Sequence, residues 1–287
     1  MPNKKTILIT GAQGQLGREF QALQESFPQH HFLFTSKNEL QIADEDSVNN
    51  YFCNNNIDAC VNCAAYTAVD KAEKERELAT SVNATAVGYL AKACKKQHVQ
   101  FIHISTDYVF DGTATTPYKT EDKTKPVNFY GQTKLDGELN AIKENQNSII
   151  IRTAWVYSSF GNNFVKTMMR LMNERDSIGV VNDQRGAPTY AADLAAAIMQ
   201  IIDKNNFEPG IYHYSNKGDI SWYDFAKEIA AQIHTTCIVN SITTAQFPTP
   251  AARPAYSVLD TEKICSTFGI TIPEWKASLR SCITLLV

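Results

Sequence analysis

Along the first half of the chain, short apolar runs alternate with stretches in which apolar residues recur every three or four positions. The runs at 5–10, 31–35, 57–65, 99–105 and 148–156 predict strands, and the stretches at 15–26, 45–55, 77–97 and 129–144 predict helices. In 77–97, Leu78, Val82, Ala86, Tyr89, Leu90 and Ala93 share one helical face, and Lys95 and Lys96 close it where cations suit the helix dipole. Asp44 is a predicted N-cap, with Glu45 and Asp46 in the first turn behind it. Strand after helix after strand is the βαβ repeat, so the pattern predicts an α/β fold with a parallel sheet covered on both faces.

Beyond about residue 156 the alternation loosens. Helices are predicted at 162–174, 191–203 and 221–233, strands at 178–182 and 211–215, and a Pro-rich segment follows at 247–254. The chain therefore divides into a first lobe of residues 1–156, taking in 178–215 as well, and a smaller, mostly C-terminal α/β lobe of 157–177 and 216–287. The second lobe is expected to cap the C-terminal edge of the sheet and shape a substrate site. Residues 107–128, rich in Thr, Lys, Asp and Pro, follow the fourth strand directly, and loops of that length are usually functional.

Composition narrows the classes. With 44% of its 287 residues hydrophobic and 20% charged, the chain buries a sizeable core, which excludes disorder, collagen and coiled coil. The 27 Lys and Arg against 30 Asp and Glu leave a net charge of -3, without the basic footprint of a general nucleic-acid binder. No apolar run approaches the roughly 18 residues of a membrane span. The first apolar run leads straight into glycines without a cleavage site, so the reading is a cytoplasmic protein with no membrane partner. Seven scattered cysteines fit free thiols better than a disulfide framework. Cys60 and Cys63 form a C-x-x-C, but on the predicted strand 57–65 they face opposite sides of the sheet and read as core. The histidines show no ligand spacing, and no metal is expected.

Two motifs carry chemistry. Gly11-Ala12-Gln13-Gly14-Gln15-Leu16-Gly17 follows the first strand and opens the first helix, where glycines let a pyrophosphate approach the amides of a helix N-terminus. With the βαβ repeat this makes the sheet a Rossmann-type, doubly wound one that binds a dinucleotide. At the end of the second strand Phe34-Thr35-Ser36-Lys37 offers hydroxyls and a cation, which suit a 2′-phosphate, and so NADPH ahead of NADH. The second motif is Tyr130-Gly131-Gln132-Thr133-Lys134 at a helix start. Its i to i+4 spacing sets phenol and ammonium on one face, where the cation is expected to lower the tyrosine pKa from about 10. It follows Ser105-Thr106-Asp107-Tyr108 at the end of the fourth strand, the edge where ligands of open α/β sheets lie.

With these motifs the sequence resembles the extended short-chain dehydrogenase/reductase family. Within it, Asn62-Cys63-Ala64-Ala65-Tyr66, Arg152-Thr153-Ala154-Trp155, Gly161-Asn162-Asn163-Phe164 and Asn182-Asp183-Gln184-Arg185-Gly186 are similar to the dTDP-4-dehydrorhamnose reductase branch. The resemblance implies NADPH-dependent reduction of the 4-keto group of a dTDP-6-deoxyhexulose, dTDP-4-dehydro-L-rhamnose, to dTDP-L-rhamnose. It makes Tyr130 the proton donor, Lys134 its partner, and Thr106 the hydroxyl that orients the ketone. Gly11, Gln13, Gly14, Gln15, Leu16, Gly17, Ser36, Lys37, Ala64, Ala65 and Tyr66 would hold the cofactor with Tyr130 and Lys134. Val69, Thr106, Asp107, Trp155, Asn162 and Arg253 would hold the dTDP-sugar.

The sequence departs from the branch in two places. Some members carry C-terminal glutamates that support a metal-linked dimer, whereas this chain ends Ser281-Cys282-Ile283-Thr284-Leu285-Leu286-Val287, which leaves a homodimer open and its metal unexpected. Cys63 replaces an alanine common in the branch. Two rival readings remain beside the reductase: a nucleotide-sugar dehydratase or epimerase that retains NAD(P), and a non-catalytic regulatory subunit of the methionine adenosyltransferase type. Against the first, Thr106 is followed by Asp107 and Tyr108 rather than the Asp-Glu pair of the dehydratases.

Overall fold

A computed structural model describes residues 4–204 and 207–287. In chain order the strands are β1 (Thr6–Thr10), β2 (His31–Thr35), β3 (Ala59–Asn62), β4 (Gln100–Thr106), β5 (Ser148–Thr153), β6 (Val156–Tyr157), β7 (Ser177–Val181), β8 (Arg185–Gly186), β9 (Thr189–Tyr190), β10 (Gly210–Tyr214), β11 (Ile220–Ser221) and β12 (Ile238–Ile242). The α-helices are α1 (Gln15–Leu23), α2 (Glu45–Asn54), α3 (Val69–Ala72), α4 (Arg76–Thr80), α5 (Ala86–Lys96), α6 (Phe129–Glu144), α7 (Phe164–Glu174), α8 (Ala191–Asp203), α9 (Trp222–Gln232), α10 (Glu262–Phe268) and α11 (Trp275–Thr284).

Six strands form one parallel sheet in the order β10-β5-β4-β3-β1-β2. Alternation along each strand divides the core in two: Ile7, Ile9, Ile102, Ile149 and Ile151 pack toward α1, α8 and α10, while Leu8, Cys60, Phe101 and Ile150 pack toward α2 and α5. This is the doubly wound α/β sheet of the sequence reading. Winding reverses between β1 and β3, which opens a crevice at their C-terminal ends. The predicted helix 77–97 is α4 and α5 joined by a π-turn, Ser81–Thr85.

Residues 178–215, grouped above with the first lobe, divide between two units. β10 extends the large sheet and α8 packs on it, whereas β7 pairs with β12 in a separate two-stranded sheet. A second core of Val165, Met168, Ile178, Val180, Phe225 and Leu279 joins β7 to α7, α9 and α11. The predicted strand 148–156 breaks at Trp155, whose φ of +47° no strand can hold. Among the described residues no helix is long and apolar enough to cross a membrane.

Candidate active site

Where β1 ends, Gly11 turns the chain with φ +64°, and a Cβ there would lie 2.7 Å from the backbone of Ala64. Only glycine allows this approach between the loops after β1 and β3. Gly14 caps α1 without a side-chain hydrogen bond, and the first turn of α1 holds no acid. The free amides there present an anion site. The start of α2 is built the other way, with Asp44 accepting from Ser47 N and with Glu45 and Asp46 behind it. A cavity of about 400 Å³ runs from Gly11, Gln13 and Gly14 past Ala64 and Ala65 to Ser36, Lys37 and Asp44. An uncapped helix start and a loop closed to any Cβ fit the pyrophosphate of a dinucleotide. Ser36 donates through both its backbone N–H and its hydroxyl to the Glu39 carboxylate.

A second cavity, of about 590 Å³, shares Gln13, Gly14, Cys63 and Ala65 with the first and reaches into the smaller lobe. Gln15, Leu16, Val69, Thr106, Asp107, Tyr130, Lys134, Trp155 and Asn162 line it. The start of α6 is fixed by Asn128, which accepts from Gly131 N at 2.8 Å and donates to Ala252 O at 2.8 Å. A Cβ on Gly131 would lie 2.2 Å from Tyr108 O, so α6 meets the end of β4 only because position 131 is glycine. Tyr130 stands edge-on to Tyr108, ring centroids 5.7 Å apart.

The electrostatics of this wall differ from the sequence expectation. Burial pushes the Tyr130 phenol up to about 12, with the Thr106 hydroxyl pulling down and the Asp107 carboxylate pushing up. Lys134 shares the cavity, but its Nζ donates to Ile104 O at 2.7 Å, and burial brings its pKa down to about 8. The net shift is thus the reverse of the predicted lowering: desolvation of the phenol dominates, and Lys134 Nζ is engaged by a backbone carbonyl. Thr106 Oγ1 donates to Asp107 Oδ1 at 3.0 Å, while Oδ2 is buried without a partner. Burial pushes the Asp107 carboxyl up to about 6, only partly offset by the hydroxyls of Ser257 and Thr106. Below, Arg152 grips Glu138 with Nη2–Oε2 at 2.7 Å and Nε–Oε1 at 2.9 Å, and Ser105 Oγ donates to the same carboxylate at 2.5 Å.

Trp155 holds its positive φ between two supports. Its indole stacks on Trp222, and on another side it meets Gly186, where a Cβ would lie 2.6 Å from Cε2. Three residues named from the sequence stand apart from the cavity walls. Gly17 packs α1 on its own loop, its absent Cβ falling 2.5 Å from Gly11 O. Tyr66 is held by Asn83 through both backbone atoms and donates its hydroxyl to Glu75. Arg253 is ion-paired with Asp70, Nη2–Oδ2 2.8 Å, which holds the Asp70 carboxyl below its usual range.

The two cysteines of the C-x-x-C pack against opposite faces of the sheet: Cys60 is core on one side, and Cys63, just past the end of β3, packs against the core on the other while also lining both cavities. All seven cysteines are free. Trp222, Thr67 and Thr153 also line the second cavity. Trp222 carried no motif, and its only signal was an aromatic residue directly after the start of a predicted helix.

Residues 5–287 match the family model described as the RmlD substrate binding domain. The chain is 42% identical over 285 residues to a dTDP-4-dehydrorhamnose reductase of Aggregatibacter actinomycetemcomitans, covering 96% of this chain and 97% of that protein. A crystal structure of a dTDP-4-dehydrorhamnose reductase from Clostridium acetobutylicum superposes with a TM-score of 0.94 at 43% identity, over 98% of this chain and 99% of that one. Another, from Bacillus anthracis in complex with NADP, gives a TM-score of 0.94 at 36% identity, with 98% and 99% covered.

Proposed function

The chain belongs to the dTDP-4-dehydrorhamnose reductase family, and from that membership we propose that it reduces the 4-keto group of dTDP-4-dehydro-L-rhamnose to the alcohol of dTDP-L-rhamnose, with NADPH as reductant. The observation that carries this reading is the second cavity, where Thr106, Tyr130 and Lys134 stand on one wall beside the glycine loop.

NADPH, when bound, supplies the hydride. Gly11, Gln13, Gly14, Gln15, Leu16, Ala64 and Ala65 would hold it along the two cavities, with Ser36 and Lys37 at the adenosine end, while Gly17 supports the loop from behind. Tyr66 contributes through the loop it anchors to Asn83. The protein's own part is a proton and its placement. A phenol at about 12 stays protonated at neutral pH, so Tyr130 arrives as a donor and gives its proton to the carbonyl oxygen as charge develops there. The Thr106 hydroxyl orients the same oxygen, and Lys134 offsets the negative charge left on the phenolate. Val69, Asp107, Trp155 and Asn162 line the cavity where the sugar nucleotide would lie. Arg253 acts there through Asp70, its ion-pair partner at the start of α3. The large sheet is then the cofactor lobe and the smaller lobe the substrate lobe, with every named residue supplied by one chain.

The test is a coupled assay in which dTDP-glucose passes through a 4,6-dehydratase and a 3,5-epimerase to this protein. NADPH absorbance should fall in proportion to dTDP-L-rhamnose formed, and Tyr130→Phe should reduce turnover by a factor on the order of 10² to 10⁴. Turnover of the sugar without NADPH consumption would instead indicate a recycling dehydratase or epimerase, and no turnover of any sugar nucleotide a regulatory subunit.

A further inference from the structure

Beneath the floor of the cavity a line of buried polar groups crosses from β1 to α6. Thr10 Oγ1 donates to Asn62 Oδ1 at 2.6 Å, Asn62 Nδ2 meets His103 Nδ1 at 3.1 Å, and His103 Nε2 meets Lys134 Nζ at 3.5 Å. All four side chains are buried. The line has a direction. With Asn62 Oδ1 turned to the threonine hydroxyl, its amide nitrogen faces the ring and has only hydrogens to offer. Nδ1 of His103 must accept and carries no proton. Burial, and the lysine beside it, hold the His103 pKa far below its ordinary value, so the ring is neutral and its single hydrogen is on Nε2. The ring thus shows Lys134 an N–H, and an ammonium has no acceptor to meet it. Once the lysine releases a proton to solvent, its lone pair takes the Nε2–H while Nζ still donates to Ile104 O.

We propose that His103 is a positioning residue for Lys134: locked as the Nε2–H tautomer by Thr10 and Asn62, it turns an N–H toward the ammonium and so adds to the burial that lets the lysine titrate and set the alkaline limit of the reaction. The link to the reaction rests on the reductase reading; the tautomer does not. Several titratable groups act on Nζ besides His103. Glu138 lies one turn further along α6, tied to Arg152 of β5, and Cys63 follows β3; both favour the ammonium. Burial opposes them and wins, bringing Lys134 to about 8. The lysine is charged below that value and uncharged above it. Since the cation is what offsets charge on Tyr130, turnover should decline as pH rises through about 8.

The tautomer is read by ¹⁵N NMR of the ligand-free protein labelled at histidine. The expected result is a His103 ring protonated at Nε2 and bare at Nδ1, whose Nε2 shift moves with a midpoint near 8 and loses that midpoint in Lys134→Met. A proton on Nδ1, or a His103 signal flat from mildly acidic to strongly alkaline pH, would overturn the proposal. His103→Phe keeps the ring, which stacks against Phe101, and deletes the N–H. In the reductase assay its alkaline limb should move to higher pH, with KM for the sugar nucleotide unchanged. A purely structural role would lower kcat equally at every pH and leave the limb in place, which would also overturn it. If the Phe variant does not fold, the spectra of the wild-type protein decide alone; if the protein reduces no sugar nucleotide, the spectra still test the tautomer.

Discussion

The indole of Trp155 lies flat on that of Trp222, ring centroids 3.6 Å apart and planes within 10° of parallel. Trp155 comes from the break after β5, and Trp222 opens α9 of the smaller lobe, so the stack joins the lobes at the cavity wall. Removing Trp222 takes away the face that holds Trp155 in its positive-φ conformation. Trp222→Ala should raise KM for the sugar nucleotide roughly tenfold, since such a stack contributes about 1.5 kcal/mol beyond area burial. The dissociation constant of NADPH, measured by fluorescence titration, should stay where it was. A weaker hold on NADPH with an unchanged KM would contradict the assignment.

Glu39 places a carboxylate on Ser36 at the end of β2, where the cofactor's 2′-phosphate is expected. Two anions brought together repel, and at an exposed site salt screens the repulsion. Glu39→Gln should therefore tighten NADPH, more so at low salt, and leave NADH nearly unchanged, as measured by calorimetric titration of each. Equal shifts for both cofactors would show that Glu39 does not face the phosphate.

Gly131 is the point at which α6 meets β4, with no space for a Cβ beside Tyr108 O. Gly131→Ala forces the helix outward and carries Tyr130 with it. Overpacking of this kind costs about 1–3 kcal/mol of stability, and displacing a proton donor by an ångström costs kcat on the order of a hundredfold. Urea unfolding and steady-state kinetics read the two effects separately. An Ala variant with full turnover would show that the close approach is dispensable.

Asp107 gives stability a pH dependence of defined sign. Its carboxyl rises from 3.8 to about 6 on folding, so between those values the folded protein keeps a proton that the unfolded chain has lost. Stability attributable to this group falls as pH rises through the window, by about 3 kcal/mol in all. Asp107→Asn removes the term. Relative to wild type, the variant should gain stability between pH 4 and pH 7 in urea titrations while losing sugar-nucleotide turnover. A stability difference that is the same at both pH values would mean that the carboxylate is not desolvated.

The large sheet was legible in the sequence because each strand repeats a local signal: a short apolar run followed by glycine or by a helical period. β2, α6 and α8 fall on the predicted residues. β12 did not announce itself, since Ile238–Ile242 carries no buried alternation and is defined by pairing with β7. α10 and α11 were likewise unread, their apolar faces being matched to distant partners. At the site, Gly11, Gln13, Gly14, Gln15 and Leu16 of the first motif and Tyr130 and Lys134 of the second line the cavities. The relationships that modify them lie outside any local pattern. The Asp70–Arg253 ion pair spans 183 positions, the Trp155–Trp222 stack crosses lobes, and the reversal of the expected tyrosine shift comes from burial, which spacing does not encode.

The last strand of the large sheet enters only after the chain has visited the smaller lobe, at β10, and it lies along β5. A product truncated after residue 156 would leave Ser148–Thr153, an all-buried strand rich in isoleucine, as an open border with bare amides and carbonyls. Such a fragment would recruit neighbouring chains rather than stay dispersed. No single cut in the chain therefore leaves the six-stranded sheet complete and free of the smaller unit.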